Sequence, residues 1–455
     1  MKGMTLRAMT QAVNGIYHGN GEDYDKEITA ITIDSRKVTE GGLFIAIKGE
    51  RSDGHDFIGQ CFEKGAACVI SEKELPDEER SYIQVESSLQ ALKDLALLYR
   101  NNLDVKVVGI TGSVGKTSTK ETISSVLSEK YRVLKTLGNF NNEIGLPLTV
   151  FRLTEDDEVA VLEMGISDFG EMDRLSKIAQ PDICVITNIG FCHLENLGTR
   201  DGILKAKTEI FNHMNPDGIV IVNGDDDKLS TISQVHGKRP LVFGISNKDG
   251  VYADNIKSLG LDGTSFTIHG IKTSDNYSTF DLTVPVPGHH MVYNAMAAAL
   301  VGSVLGLSSI EIERGVKNLK TIAGRNNIIK ENGFTIIDDC YNANPVSMKA
   351  SLDVLDTAIG RKVAILGSMF ELGENEKQMH YDVGMYLGTK DIDVLITAGD
   401  LAAQIAAGTR AYIDTNYNAH GCEVHDFETR DDMLKCIGHI LKLSLIHISE
   451  PTRPY

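Results

Sequence analysis

VKVVGITGSVGKTSTKETISSVLSEK, residues 105–130, decides the fold. Its opening run from Val105 to Thr111 is rich in β-branched residues and reads as a buried strand. Gly112 and Gly115 mark a tight turn, and a helical pattern starts at Lys116. A strand, a glycine-rich turn and a helix start, in that order, form an anion site. Backbone N–H groups and the positive end of the helix dipole face a phosphate there. Lys116 is suited to neutralise β/γ oxygens, and the Thr117 hydroxyl to ligate Mg²⁺. The spacing departs from the general phosphate-loop pattern. Where that pattern has its first Gly this chain has Ile110, Gly109 lies one residue too early, and Gly112 supplies the flexibility instead. Thr111, Gly112, Ser113, Val114, Gly115, Lys116 and Thr117 are therefore the predicted ATP-binding loop. The bland alternative is a glycine turn at a strand–helix junction.

Outward from this loop, VAVLEMG, DICVITNIG and GIVIVNGDD are further apolar strands, mostly followed by helical pattern. Alternation of strand and helix predicts a parallel α/β sheet. DGTSFTIHG and STFDLTVPV read as antiparallel strands, and HMVYNAMAAALVGSVLGLS as a long Ala-rich helix. Another α/β unit starts near Thr321, with FTIIDDCYNANP, KVAILGSMFELG and DVLITAGD as strand-to-loop units. Before the central unit, ITAITIDSRKV and GGLFIAIKG read as strands, GHDFIGQCFEKGAACVIS as helix, Gly stop and strand, and SSLQALKDLALLYRN as a helix. The expected fold class is α/β in three domains: an N-terminal α/β domain (1–102), a central P-loop parallel-sheet ATPase domain (103–322) and a C-terminal Rossmann-like domain (323–443). The tail, 444–455, has no pattern that closes an α/β unit. SLIHISEPTRPY resembles a translated adapter or cloning scar and is set aside.

A chain of 455 residues is too long for one ordinary core. Hydrophobic residues at 42% and charged residues at 24% give the balance of a soluble globular protein. A net charge of -18 repels a phosphate backbone, so no nucleic-acid partner is expected. Seven scattered cysteines without a C-x-x-C pair argue against a disulfide framework or zinc ribbon and for a reducing compartment. MKGMTLRAMTQAVNG reads as a short amphipathic helix with Leu6, Met9 and Val13 on one face, not as a signal peptide. No run approaches the ~18 apolar residues of a membrane span. No membrane insertion and a cytoplasmic location are the expectations.

Candidate metal ligands sit near strand ends, where α/β sheets gather ligands. Glu163 ends VAVLE, and a carboxylate there can reach a Mg²⁺ on a triphosphate. His193 lies in the loop TNIGFCHLENLG, and Lys207 in the helical pattern LKAKTEIF. Taken alone, Glu163 is also a helix-start acid, His193 a bystander and Lys207 a solvated residue. No spacing rule unites the three.

TGSVGKTSTKE, TLGNFNNEIGLP, EMG, TNIGFCHLENLG, AKTEIF, PGHHMVYNAMAAA, GRNN and DDCYNANPVSM occur in the order found in Mur ligases, which the chain resembles over roughly residues 1 to 443. The Gly112 form of the loop is that family's own. ITIDSRKV with GGLFIAIKGERSDGHDF, and IIDDCYNANP with LGSMFELGENE, favour one branch of it. The resemblance implies an ATP-dependent amide ligase of peptidoglycan precursor synthesis, acting on UDP-MurNAc-tripeptide and D-alanyl-D-alanine through an acyl phosphate. It implies ATP with two Mg²⁺ ions, Thr117, Glu163 and His193 as metal ligands, and Lys207 carbamylated as a ligand to the second metal. It assigns Asn294 to adenine, Arg325 to the γ-phosphate, and Asp339, Tyr341 and Asn344 to a nucleotide-facing loop. Helix packing for Asn294, and turn or capping chemistry for Asp339 and Asn344, are the alternatives. Asp34, Ser35 and Arg36 resemble the segment that grips the UDP sugar, in which the N-terminal domain takes the UDP-sugar-binding role; a surface turn is the alternative. Thr136, Asn139, Asn141 and Asn142 resemble the T-x-x-N-x-N-N stretch near the substrate. The family suggests a monomer.

Two departures stand out. Ser368 occupies a position where the family commonly has Asp, although Glu371 remains. The strand and Lys-Gly-Ser-Arg loop that close the family's third domain are replaced by the tail, so a truncated domain with an unpaired sheet edge is expected. Other readings stay open: another Mur ligase or a folylpolyglutamate synthase-like ligase, a nucleotide-binding switch without ligase activity, and a catalytically dead fragment. NKDG at Asn247–Gly250 nearly matches a guanine-reading motif but has Gly250 at its Asp position.

Overall fold

The computed structural model describes residues 1–76, 80–331, 333–417 and 419–441, together with the backbone of 445–449. The chain divides into two compact units. One comprises Met1–Thr111, Tyr131–Val185 and Lys207–Ile219, and the other Gly112–Lys130, Ile186–Ala206 and Val220–Tyr455.

In the first unit, a five-stranded sheet runs in the order Ile16–His18, Tyr82–Gln84, Cys68–Ser71, Leu43–Ile45, Ile31–Thr32. The first pair is antiparallel and the rest are parallel. Leu6 and Met9 of the N-terminal helix Leu6–Ala12 are buried, as their helical spacing predicts. ITAITIDSRKV is extended over Ile31–Thr32 alone. Asp34 then accepts from the Arg36 N–H and starts a 3-10 turn over Ser35–Lys37, a local side-chain competition that ends the strand. The strand Lys106–Thr111 pairs in parallel with Val159–Glu163, which pairs in parallel with Val133–Lys135. All five residues of Val159–Glu163 are buried, as expected for a parallel strand covered on both faces.

In the second unit, Ile219–Asn223, Leu241–Gly244 and Val251–Ser258 continue in parallel register. Thr264–His269 and Thr279–Val284 add antiparallel strands with full pairing from Thr264↔Val284 to His269↔Thr279, matching the expected hairpin-like region. The helix Lys116–Leu127 lies in this unit with His290–Val304, whose Ala-rich surface is buried nearly all round. A six-stranded sheet forms the C-terminal part, in the order Asn327–Glu331, Phe334–Asp338, Leu445–Ser449, Lys362–Leu366, Val394–Ala398, Glu423–Phe427.

The expected unpaired edge is corrected here. Residues Leu445–Ser449 form a strand that pairs in parallel with Phe334–Asp338 on one side and Lys362–Leu366 on the other. The strand's backbone fills a slot whose two walls already present ladder groups. Among the described residues no helix is long and apolar enough to cross a membrane.

Candidate active site

The phosphate loop is held by the segment that follows the strand Ile183–Ile186. Gly112 has φ +149, and a Cβ on it would come within 1.9 Å of the Thr187 hydroxyl oxygen. Glycine is required there by that approach as well as by the backbone angle. The Thr187 hydroxyl donates to the Val114 carbonyl at 2.7 Å. The Asn188 amide donates to the same oxygen at 2.9 Å, and its Oδ1 accepts from the Val114 N–H at 2.9 Å. The Ser113 N–H donates to the Asn188 carbonyl at 3.0 Å, and Ser113 Oγ accepts from the Gly190 N–H at 2.8 Å. Gly115 adopts φ +81 as the N-cap of the helix Lys116–Leu127 and offers no capping side chain. A helix start without a side-chain cap is suited to an external anion. Lys116 Nζ lies over the turn, donating to the Gly112 carbonyl at 2.9 Å. A glycine cradle, an uncapped helix start and a lysine resting on loop carbonyls fit a polyphosphate. Thr117 is buried at the helix start.

A cavity of 460 Å³ opens against this loop within the same unit. Val114 and Gly115 line it, together with Asn294, Arg325 and Asp339 from the predicted set. The Asn294 side-chain oxygen accepts from the Thr119 hydroxyl at 3.0 Å, so Asn294 both packs its helix and faces the cavity. The Arg325 guanidinium stacks 4.2 Å from the Tyr341 ring centre, which fixes its plane. Asp339 accepts from the Asn326 N–H at 3.2 Å and from the Ser351 hydroxyl, and burial pushes its carboxyl up. Asn344 caps the helix Pro345–Asp356 by accepting from the Val346 and Ser347 N–H groups, the capping role weighed from sequence. Its amide also reaches Cys192 Sγ at 3.9 Å. His193 stands at φ +59 with Nδ1 3.0 Å from Glu371. Ser368 accepts from the Ala402 N–H at 3.2 Å, a helix-start contact.

Several lining residues escaped the sequence reading. Thr187, Asn188 and Asp225 all follow strand ends, and that rule alone could have singled them out. Asp225 accepts from the N–H groups of Ile245, Ser246 and Asn247 and from the Tyr293 hydroxyl. Desolvation pushes its carboxyl up, but these donors outweigh that and hold it below the usual range. Asn247, of the near-miss NKDG motif, is thereby tied into a turn. His290 is driven down to about 4 by desolvation, so it is neutral and positioned 3.1 Å from the Asn326 amide. His290 and Asn326 lie in the stretches PGHHMVYNAMAAA and GRNN, but no role was read for either from sequence.

The first unit holds the remaining predicted residues. Glu163 ends its strand 2% exposed; its N–H donates to the Thr136 hydroxyl at 3.0 Å and its Oε1 accepts from the Asn141 amide at 2.8 Å. Asn142 Oδ1 accepts from the Gly145 N–H at 2.8 Å, and the Asn139 carbonyl from the Asn141 N–H at 2.7 Å. Glu143 accepts from Lys93 at 3.2 Å and from both nitrogens of the Arg174 fork at 2.5 and 3.1 Å. Lys207 is only 1% exposed, which overturns the solvated-face alternative. A carboxylate such as that of Glu163 is an oxygen donor of the kind Mg²⁺ takes. Asp34 and Arg36 form a two-bond ion pair at 2.9 Å with Arg36 exposed, and that guanidinium holds the Asp34 carboxyl down at about 2. The Ser35 carbonyl accepts from Lys64.

Comparison with known proteins follows the same lines. The model of the "Mur ligase family, catalytic domain" matches residues 27–100, that of the "Mur ligase middle domain" 110–302, and that of the "Mur ligase, glutamate ligase domain" 324–443. The UDP-N-acetylmuramoyl-tripeptide–D-alanyl-D-alanine ligase of Bacillus subtilis (strain 168) is 40% identical over 93% of this chain and 91% of its own. A crystal structure of MurF from Acinetobacter baumannii superposes with a TM-score of 0.87 at 32% identity, covering 99% of this chain and 96% of that one. MurF ligase from Thermotoga maritima in complex with ADP gives 0.79 at 30% identity, over 93% and 94%.

Proposed function

This chain belongs to the Mur ligase family, and from that premise we propose how its residues perform an ATP-dependent ligation. The reaction joins D-alanyl-D-alanine to UDP-MurNAc-tripeptide. A carboxylate is a poor electrophile, so the tripeptide's terminal carboxylate oxygen first takes the γ-phosphoryl group and ADP leaves. The amine of D-alanyl-D-alanine then forms the C–N bond, the C–O bond to phosphate breaks, and the amine's proton is lost. Such chemistry asks the protein chiefly for positioning and charge neutralisation.

The observation that carries this reading is the cavity built against the clamped phosphate loop. Gly115 and the start of the helix at Lys116 present N–H groups to the triphosphate, and Lys116 swings from its carbonyl perch to the phosphates. Asn294 and the wall around it take adenine. Arg325, its plane set by Tyr341, meets the γ-phosphate, and Asp339 orients that loop through Asn326. Thr117, Glu163 and His193 would hold one Mg²⁺ and Lys207 a second, and the ions would supply positive charge to offset that building on the transferred group. Lys207, almost fully buried, would supply an oxygen ligand as its carbamate. Residues 1–102 take the UDP sugar through Asp34, Ser35 and Arg36, residues 103–322 hold ATP, and residues 323–443 close the nucleotide site. Thr136, Asn139, Asn141 and Asn142 serve the tripeptide side. The enzyme acts as a cytoplasmic monomer.

Phosphate release measured with ATP, Mg²⁺ and UDP-MurNAc-tripeptide, with and without D-alanyl-D-alanine, tests the reading. Sustained release is expected only when both substrates are present. GTP turnover without either, or no release with both, would sink it.

A further inference from the structure

The loop's geometry points to a residue with no assigned role. We infer that Asn188 is a positioning residue that aims the first phosphate-facing amide of the loop. The inference rests on the ATP-binding reading above.

Every polar group of the Asn188 side chain goes to one residue, Val114. Its Oδ1 accepts the Val114 N–H at 2.9 Å and its Nδ2 donates to the Val114 carbonyl at 2.9 Å. A primary amide is matched here to both polar atoms of a main-chain residue. Flipping it would set donor against donor and acceptor against acceptor, so the loop itself dictates the amide's orientation. The Asn188 carbonyl also takes the Ser113 N–H, at 3.0 Å. The N–H groups of Ser113 and Val114 are therefore committed to Asn188 and are not part of the anion cradle. The cradle starts at Gly115.

The direction of that first amide follows from peptide geometry. In a trans peptide the C=O and the next N–H point in opposite directions. The Val114 carbonyl is held by Asn188 and, at 2.7 Å, by the Thr187 hydroxyl. The Gly115 N–H must then point away from both. Gly115 turns at φ +81 and the helix begins at the next residue, so the aim of one peptide sets the aim of those that follow. Val114, Gly115, Thr187 and Asn188 all line the cavity. Asn188 is only partly buried, so water can replace its bonds when it is truncated. The fold survives that change, and the preset direction of the amide does not.

The test compares the parent with Asn188→Ala, Asn188→Asp and Thr187→Val. Steady-state KM is measured for ATP, UDP-MurNAc-tripeptide and D-alanyl-D-alanine, ADP affinity by calorimetry, and apo melting temperature in parallel. Asn188→Ala is expected to raise the ATP KM and weaken ADP about tenfold, the size of one well-placed hydrogen-bonding group, with the other two KM values within about twofold. Asn188→Asp loses the donor to Val114 and brings a carboxylate toward a triphosphate, so its loss is larger. Thr187→Val keeps volume, removes one donor and is expected to cost about threefold, and it carries the test if Asn188→Ala does not fold. Unchanged ADP affinity in the variants, or an equal rise in all three KM values, overturns the inference. If the parent turns over no substrate, the ligase reading falls, while the ratio of ADP affinities still reports on the loop.

Discussion

Two polar loops face similar tasks and are built in opposite ways. The phosphate loop in one unit is held from outside. Thr187 and Asn188 close on its main chain and the Gly190 N–H on the Ser113 hydroxyl, while Gly112 and Gly115 supply its turns. The loop from Thr136 to Gly145, in the other unit, does the holding. Thr136 takes the Glu163 N–H, Asn141 takes the Glu163 carboxylate, and Glu143 anchors the loop to Lys93 and Arg174. A loop that must let phosphate oxygens reach its backbone sheds side chains. A loop that must fix a carboxylate needs one functional group after another. The first design is vulnerable to added atoms and the second to lost ones.

The sharpest way to break this contrast is to add one carbon. Gly112→Ala places a Cβ 1.9 Å from the Thr187 hydroxyl oxygen at a φ that side chains avoid. Loss of at least about a hundredfold in kcat/KM for ATP is expected, from strain plus displacement of the clamp. Activity within threefold of the parent would show that the close approach is dispensable. Removing a group from the holding loop should cost less. Asn141→Ala removes one hydrogen bond to the Glu163 carboxylate and, on the proposal that Glu163 holds Mg²⁺, is expected to lower kcat about 10–100-fold. Mg²⁺ dependence of the rate reads this directly, and an unchanged Mg²⁺ requirement would remove Asn141 from the role.

The smallest effect is in pH. Desolvation pushes the Glu143 carboxyl up, but hydrogen bonds from Arg174 and Lys93 outweigh it and leave it below the usual value. Its folded value lies below the unfolded one of about 4.3. The stabilisation is therefore complete above that pH and is lost as pH falls through the lower folded value. Thermal melts of the parent and Glu143→Gln should differ at neutral pH and converge in acid. The clamp formed by Thr187 and Asn188 contains no ionisable side chain, so Asn188→Ala should shift the melt by the same amount across that range. Curves for Glu143→Gln that stay parallel to the parent would remove the acid-labile anchor.

This asymmetry also explains what could be read from sequence. Gly112, Gly115 and Lys116 announce themselves because few residue types can occupy a backbone that must admit a phosphate. The strands Lys106–Thr111 and Val159–Glu163 were legible from continuous apolar runs, and the pair Thr264–His269 and Thr279–Val284 from alternation. Thr136, Asn139, Asn141 and Asn142 look like any polar turn, and only resemblance singled them out. Asn188 follows a strand end, but its task was not legible because it is long-range: a side chain pairs with a main chain 74 positions away. ITIDSRKV misled because Asp34 diverts its own backbone into a turn, a choice that β-branched content does not reveal. The tail misled for a different reason. A short strand segment carries little pattern of its own, and its place is set by the two strands flanking the slot.

That slot has a consequence for how the protein is made. The strand Leu445–Ser449 lies inside its sheet, between Phe334–Asp338 and Lys362–Leu366. A ribosome delivers both neighbours long before it delivers Leu445. Until then each neighbour carries an open row of N–H and C=O groups, the kind of surface that recruits other chains. The sheet stays open between these two neighbours until Leu445–Ser449 joins it. Without that strand the C-terminal sheet is two separate pieces, Asn327–Glu331 with Phe334–Asp338 and Lys362–Leu366 with its two further neighbours.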